Sequence, residues 1–213
     1  MKMIVTKPQH DVTTRYLSAW AEEVIELAEE KGVDVIELLR EKANKKEFES
    51  RVKKLSPRLI FLNGHGSDEC VTGHDNKILV KSGENHEVLV GKITYALSCN
   101  SAKILGAKVA QEKDTAYIGY ADEFIFMAGS ECIRKPALDP KAKPFMEASN
   151  QVMISVLKGH SARESAERSK NIFRDRYIKL LSSNTDQDSL QAAQYLWWNM
   201  RNLVCLGDGD VTA

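Results

Sequence analysis

"RLIFLNGHG", residues 58–66, runs an apolar segment straight into a histidine held between two glycines. Residues 58–62 are dominated by branched and aromatic side chains, the composition of a strand buried on both faces. Just upstream, Phe48, Val52 and Leu55 recur at helical spacing, and that helix must stop before Pro57, whose ring excludes the helical conformation from the residue preceding it. The alternation continues in both directions. "MIVT" (3–6) reads as a short strand. Asp11 is a natural N-cap for a helix whose apolar face is Leu17, Trp20, Val24 and Leu27, with Gly32 as its stop. Residues 33–39 read as a strand through Ile36. Beyond the histidine, 69–90 suggests a hairpin or irregular insertion, 92–98 ("KITYALS") a strand, 101–113 a helix and 115–120 ("TAYIGY") another strand. Repeated strand–helix units predict an α/β fold with a mostly parallel sheet covered by helices on both faces.

The organisation expected is one domain over 1–213: a sheet core over about 1–128, an exposed loop over 129–144, and a helical part over 145–206 with no clear strand. Lysines and arginines number 30, as do aspartates and glutamates, so no net charge draws the chain to nucleic acid or to an anionic membrane. No run approaches the roughly 20 apolar residues of a membrane span, and the N-terminal stretch reads as no signal peptide. Cys70, Cys99, Cys132 and Cys205 show no CxxC spacing, which favours free thiols in a reducing cytoplasm.

In a parallel sheet, ligands gather beyond the carboxyl ends of the strands. His65 follows one predicted central strand and Cys99, in "YALSCNSAKILG", follows the next, 34 residues later. Each alone has an ordinary packing explanation. If the strands are neighbours, about 5 Å apart, imidazole and thiol face one small space, which is the minimum for thiol nucleophilic catalysis. The helix expected to start at Asn100 or Ser101 would favour a thiolate at Cys99. Gly64 and Gly66 would clear side chains so that backbone N–H groups can approach a developing oxyanion. Cys70, His74 and His86 with His65 fit no standard zinc spacing, so no metal is expected there.

The strand ending in His65-Gly66, the strand ending in "SCNSA", and the "GAKVAQEKDTAYIGYADEFIF" that follows resemble the caspase-like cysteine peptidases of clan CD. The resemblance covers residues 58–126. The Q-A-C signature of true caspases is missing, so the chain looks closer to the bacterial CHAT, gingipain, clostripain or separase branches. The resemblance implies a three-layer αβα sandwich, a Cys99 nucleophile, His65 as general acid/base, and an oxyanion hole from the Gly66 and Cys99 amides. It also implies a protein or peptide substrate and no cofactor. Many relatives cut after Arg or Lys. Clostripain-like enzymes carry the pocket acid two residues before the cysteine, where this chain has Leu97. Separase-like enzymes carry it after the next strand, which points to Asp122 first and Glu123 second. With basic specificity, Arg134, Lys135, Lys141 and Lys143 make loop 129–144 a candidate for self-cleavage or for control by a regulatory protein. Two other readings stand beside this one. One is a non-catalytic caspase-like interaction module, which would not need both His65 and Cys99. The other is an unrelated doubly wound ligand-binding protein, which "TKPQHD" disfavours because no phosphate-binding glycines follow the first strand.

Overall fold

A computed structural model describes residues 1–182 and 186–213. Six strands form the central sheet in the order β2-β1-β3-β6-β7-β8. They are β1 (Lys2–Lys7), β2 (Asp34–Leu39), β3 (Leu59–Asn63), β6 (Ile93–Leu97), β7 (Ala116–Tyr120) and β8 (Leu203–Gly207). The first five run parallel, and β8 closes the edge antiparallel to β7. β4 (Cys70–Thr72) and β5 (Ile78–Lys81) pair antiparallel as a separate two-stranded ribbon, the hairpin expected within 69–90.

Alternation along each buried strand assigns the two faces. Leu59 and Phe61 join Met3, Val5, Tyr95, Ile118 and Tyr120 in one apolar layer, covered by α1 (Val12–Trp20), α2 (Glu22–Glu30), α5 (Lys143–Leu157) and α6 (Ala162–Ser182). Ile60 and Leu62 face the other way with Ile4, Ala96 and Tyr117, under α3 (Lys45–Leu55) and the segment after β6. Two such layers on one sheet are the three-layer αβα sandwich expected from the strand–helix pattern.

Three local expectations are corrected. The C-terminal third does hold a strand: α7 (Gln187–Asn202) ends directly in β8, whose residues 203–207 complete the sheet. The apolar "LVCL" was hidden behind the aromatic helix pattern preceding it. The helix expected over 101–113 is shorter and irregular, a π-helical turn Ala102–Gly106 followed by α4 (Ala107–Val109). Nor is loop 129–144 simply exposed. Asp139 is buried, accepting hydrogen bonds from Tyr16 Oη at 2.6 Å, Gly129 N at 2.7 Å and Lys141 N at 2.8 Å. Trp20 Nε1 adds a bond to the Pro136 carbonyl at 3.0 Å. Arg134, Lys135 and Leu138 still project outward.

The strand order reverses direction at β1: the chain passes to β2 on one side and then to β3 on the other. The carboxyl ends of β1 and β3 flank this switch point, and the loops leaving them meet there, Asp11 Oδ2 lying 2.6 Å from His65 Nε2.

Candidate active site

β3 and β6 are hydrogen-bonded neighbours with Asn63 opposite Leu97. Beyond these paired residues the two chain segments stay close, since a Cβ on Gly66 would touch the Cys99 carbonyl. The sheet thus sets side by side the two loops that carry His65 and Cys99. The glycines around His65 are explained by crowding. A Cβ on Gly64 would stand 2.1 Å from the Thr72 carbonyl oxygen, and one on Gly66 would stand 2.4 Å from that of Cys99 and 3.0 Å from Ser98 Cβ. Only a residue without a side chain lets the two strand ends approach this closely. Beyond Gly66 the chain folds back over the Cys99 turn. The Asp68 carbonyl accepts the N–H groups of Ile104 and Leu105 at 3.0 and 2.9 Å, and the Asp68 carboxylate pairs with Lys103 at 3.4 Å.

The structure adds a residue that sequence reasoning had seen only as a helix cap. Asp11 caps α1 through Oδ1, which accepts the Thr14 N–H at 2.7 Å, and Thr14 Oγ1 in return accepts the Asp11 N–H at 3.2 Å. The other carboxylate oxygen, Oδ2, lies 2.6 Å from His65 Nε2, across 54 residues of sequence. Burial works against the ionised carboxyl, but the Thr14 N–H, the His65 bond and the Thr14 hydroxyl outweigh it and hold the group at about 2. An ionised carboxylate only accepts hydrogen bonds, so Nε2 is the protonated nitrogen of His65. In the neutral ring, Nδ1 is then the free base. Asp11 thereby selects the tautomer.

Cys99 is half-buried, and its thiol donates a weak bond to the Phe124 carbonyl at 3.9 Å. Burial pushes this thiol above its ordinary value, opposed by the Phe124 bond and reinforced by the charges of Glu123 and Asp122. The expected helix-dipole assistance is thus outweighed. The helix start is a π-helical turn with no side-chain cap, and Asn100 takes a left-handed conformation (φ +61°) before it. At neutral pH the thiol is protonated. Only the thiolate is alkylated, so the rate of Cys99 modification by iodoacetamide should rise about tenfold per pH unit between pH 7 and 9. A rate already at plateau below pH 7 would mean a preformed thiolate and would contradict this.

Asp122 and Glu123 stand beside the same thiol. The Asn100 N–H donates to the Asp122 carbonyl at 3.0 Å, tying the Cys99 turn to the loop after β7. α7 holds that loop from behind. Trp198 Nε1 donates to the Glu123 carbonyl at 3.0 Å, while Asn199 binds the N–H of Ile125 at 2.9 Å and its carbonyl at 2.6 Å. Asp122 is half-buried and Glu123 exposed. A separate cavity of about 560 Å³ lies where α5, α6 and the start of α7 meet, lined by Met127, Pro144, Arg176 and Leu180 among others, and touches neither His65 nor Cys99.

The architecture as a whole is a caspase-like αβα fold. The crystal structure of gingipain R, an Arg-specific cysteine proteinase, superposes with a TM-score of 0.60 at 10% sequence identity, covering 100% of this chain and 47% of that one. The chain therefore spans about half the length of that protein, and what the two share is the fold. No protein-family model and no curated protein matches the chain by sequence. No described helix is long and apolar enough to cross a membrane.

Proposed function

We propose that this chain is a cysteine endopeptidase acting on protein or peptide substrates, with Cys99 as nucleophile and His65 as general acid/base. The single observation that carries the reading is the geometry at the strand ends. β3 and β6 are paired neighbours, Gly66 beside His65 packs against the Cys99 carbonyl, and an ionised Asp11 at 2.6 Å from Nε2 is consistent with Nδ1 of His65 serving as the base. In the reaction His65 Nδ1 takes the Cys99 proton as sulfur attacks the scissile carbonyl carbon. The imidazolium then gives that proton to the leaving amine, leaving a thioester that water hydrolyses with His65 again as base. The backbone amides of Gly66 and Cys99 are the proposed oxyanion donors. Asp11 is a positioning residue, orienting the ring. The neutral resting thiol is consistent with a base that deprotonates it only during attack.

Preference for Lys or Arg in the substrate is the second part of the proposal, with Asp122 as the pocket residue and Glu123 as its neighbour. Their charge is felt at the Cys99 thiol, which supports a short reach from pocket to nucleophile. Acyloxymethyl ketones bearing Lys, Arg, Asp or Leu test both parts. Wild type should be labelled by the first two and Cys99→Ala by none. Asp122→Asn should lose about 100-fold or more of the preference for basic over neutral probes. Labelling that persists in Cys99→Ala would sink the nucleophile assignment, and preference for the Asp probe would sink the pocket. We further propose that the peptidase operates in the cytoplasm as one domain. Cleavage after the outward-facing Arg134 or Lys135 is the proposed route to self-processing, and loop 129–144 the proposed contact for a regulatory protein. Intact mass of wild type against Cys99→Ala tests the self-processing route, and equal masses with no trimmed species would remove it.

A further inference from the structure

Asp11 has a second imidazole beside it. His10 is only 10% exposed, and its Nε2 lies 3.5 Å from Asp11 Oδ2 and 3.1 Å from Asn76 Oδ1, while its Nδ1 is buried without any partner. The ring stands edge-on to His65, with centroids 5.9 Å apart. One ligand atom each from His10, Asp11 and His65 therefore falls within 4.8 Å of the others. Among the described residues, the ion pairs of the Asp11 carboxylate are with these two imidazoles and with no lysine or arginine. The cluster sits beyond the carboxyl ends of β1 and β3, where the strand order switches, and the side chains of Asp11 and His65 are each partly open to solvent.

We infer that His10, Asp11 and His65 bind a divalent transition-metal ion of the zinc class, and that this ion switches the peptidase off. Two imidazoles and a carboxylate are the donors such ions prefer, and three protein ligands leave a fourth position for water. In a tetrahedron with bonds of about 2.1 Å the ligand atoms stand roughly 3.4 Å apart. The His10–Asp11 separation of 3.5 Å already meets this, and the 2.6 Å between Asp11 and His65 must open by less than 1 Å. Coordination occupies the Nε2 lone pair of His65, so the neutral ring carries its single proton on Nδ1. The nitrogen that would take the Cys99 proton then has no lone pair. No proton is gained or lost by the ring; its tautomer is reversed. The ligand set differs from the Cys70, His74 and His86 combination considered from sequence, sharing only His65. It was invisible there because adjacent residues 10 and 11 meet residue 65 only through the β1–β3 pairing.

The inhibitory half rests on the peptidase reading, so the test separates the two. Zinc affinity is measured by competition with a chromogenic chelator on Cys99→Ala, in which the thiol cannot be a ligand. One ion should bind, and adding His10→Gln or Asp11→Asn should weaken binding at least tenfold. Asparagine keeps the α1 cap, so Asp11→Asn tests the metal without removing the helix start, and thermal unfolding of each variant reports the fold. Cobalt in the wild-type protein should give a d–d spectrum without thiolate charge transfer. No chelator-resistant binding, affinity indifferent to both substitutions, or a thiolate band that vanishes in Cys99→Ala would each overturn the site. For a protein with peptidase activity, zinc inhibition reversed by chelator, with a midpoint moved at least tenfold by His10→Gln, supports the switch. Zinc bound at this site without loss of activity overturns it. Zinc bound by a protein that cleaves nothing and labels with no acyloxymethyl ketone overturns the peptidase reading and leaves the metal site standing.

Discussion

Cys99→Ala should lower kcat/KM on a Lys- or Arg-containing peptide by about ten-thousand-fold, and His65→Ala by a similar factor. The double variant should be no slower than the worse single one, because a nucleophile without its base and a base without its nucleophile are equally idle. If the two losses multiply instead, the residues do not act as a unit and the dyad is wrong. The comparison is clean because Cys99 contributes little to the fold. Its thiol makes one weak bond, to the Phe124 carbonyl at 3.9 Å. Truncation to alanine keeps Cβ, so a stability cost of about 1 kcal/mol or less is expected. Activity lost together with the folded state would report unfolding rather than chemistry, and thermal unfolding distinguishes the two.

Gly66→Ala should be nearly as damaging for a different reason. The added Cβ would meet a backbone oxygen, that of Cys99, at 2.4 Å, and backbone cannot rotate away as a side-chain tip can. Either the His65 loop or the Cys99 turn must shift, and the reacting groups separate with it. A displacement of about 1 Å is enough to cost roughly 100-fold in rate, and the overpacking should cost about 1–3 kcal/mol of stability. Gly83→Ala is the matched control. That glycine has φ +74° but no atom within 4 Å of the added carbon, so the substitution should cost about 1–2 kcal/mol of backbone strain and leave kcat/KM unchanged. An active, stable Gly66→Ala protein would show that the contact between the strand ends is not needed.

Both predictions rest on residues that sequence reading had already singled out, but the reason for Gly66 changed. It was expected to make room for a substrate carbonyl, and the structure shows it making room for the carbonyl of Cys99. The sheet was legible because its strands are short, apolar and separated by helices, and buried parallel strands have few other interpretations. β8 was not. Its "LVCL" follows the aromatic face of α7 without a turn residue, and what makes it a strand is pairing with β7, about 90 residues earlier in the chain. Asp11 was legible only as a cap. Nothing in "HDVTT" tells that one carboxylate oxygen serves Thr14 while the other serves a histidine 54 residues away.

What the amino-acid sequence determined by itself was the strand–helix alternation and the mostly parallel sheet, while the caspase-like architecture was what its resemblance over 58–126 implied. The alternation follows from local composition, and the rule that parallel strands present their carboxyl ends to one side made His65 and Cys99 candidates. Tertiary structure alone decided which groups surround the pair. It supplied the Asp11 carboxylate beside His65, the burial that raises the Cys99 thiol, and the His10 imidazole that completes the proposed metal cluster. Hydrogen bonds and desolvation depend on distances across the sheet, and sheet pairing joins residues whose separation along the chain carries no record of their contact.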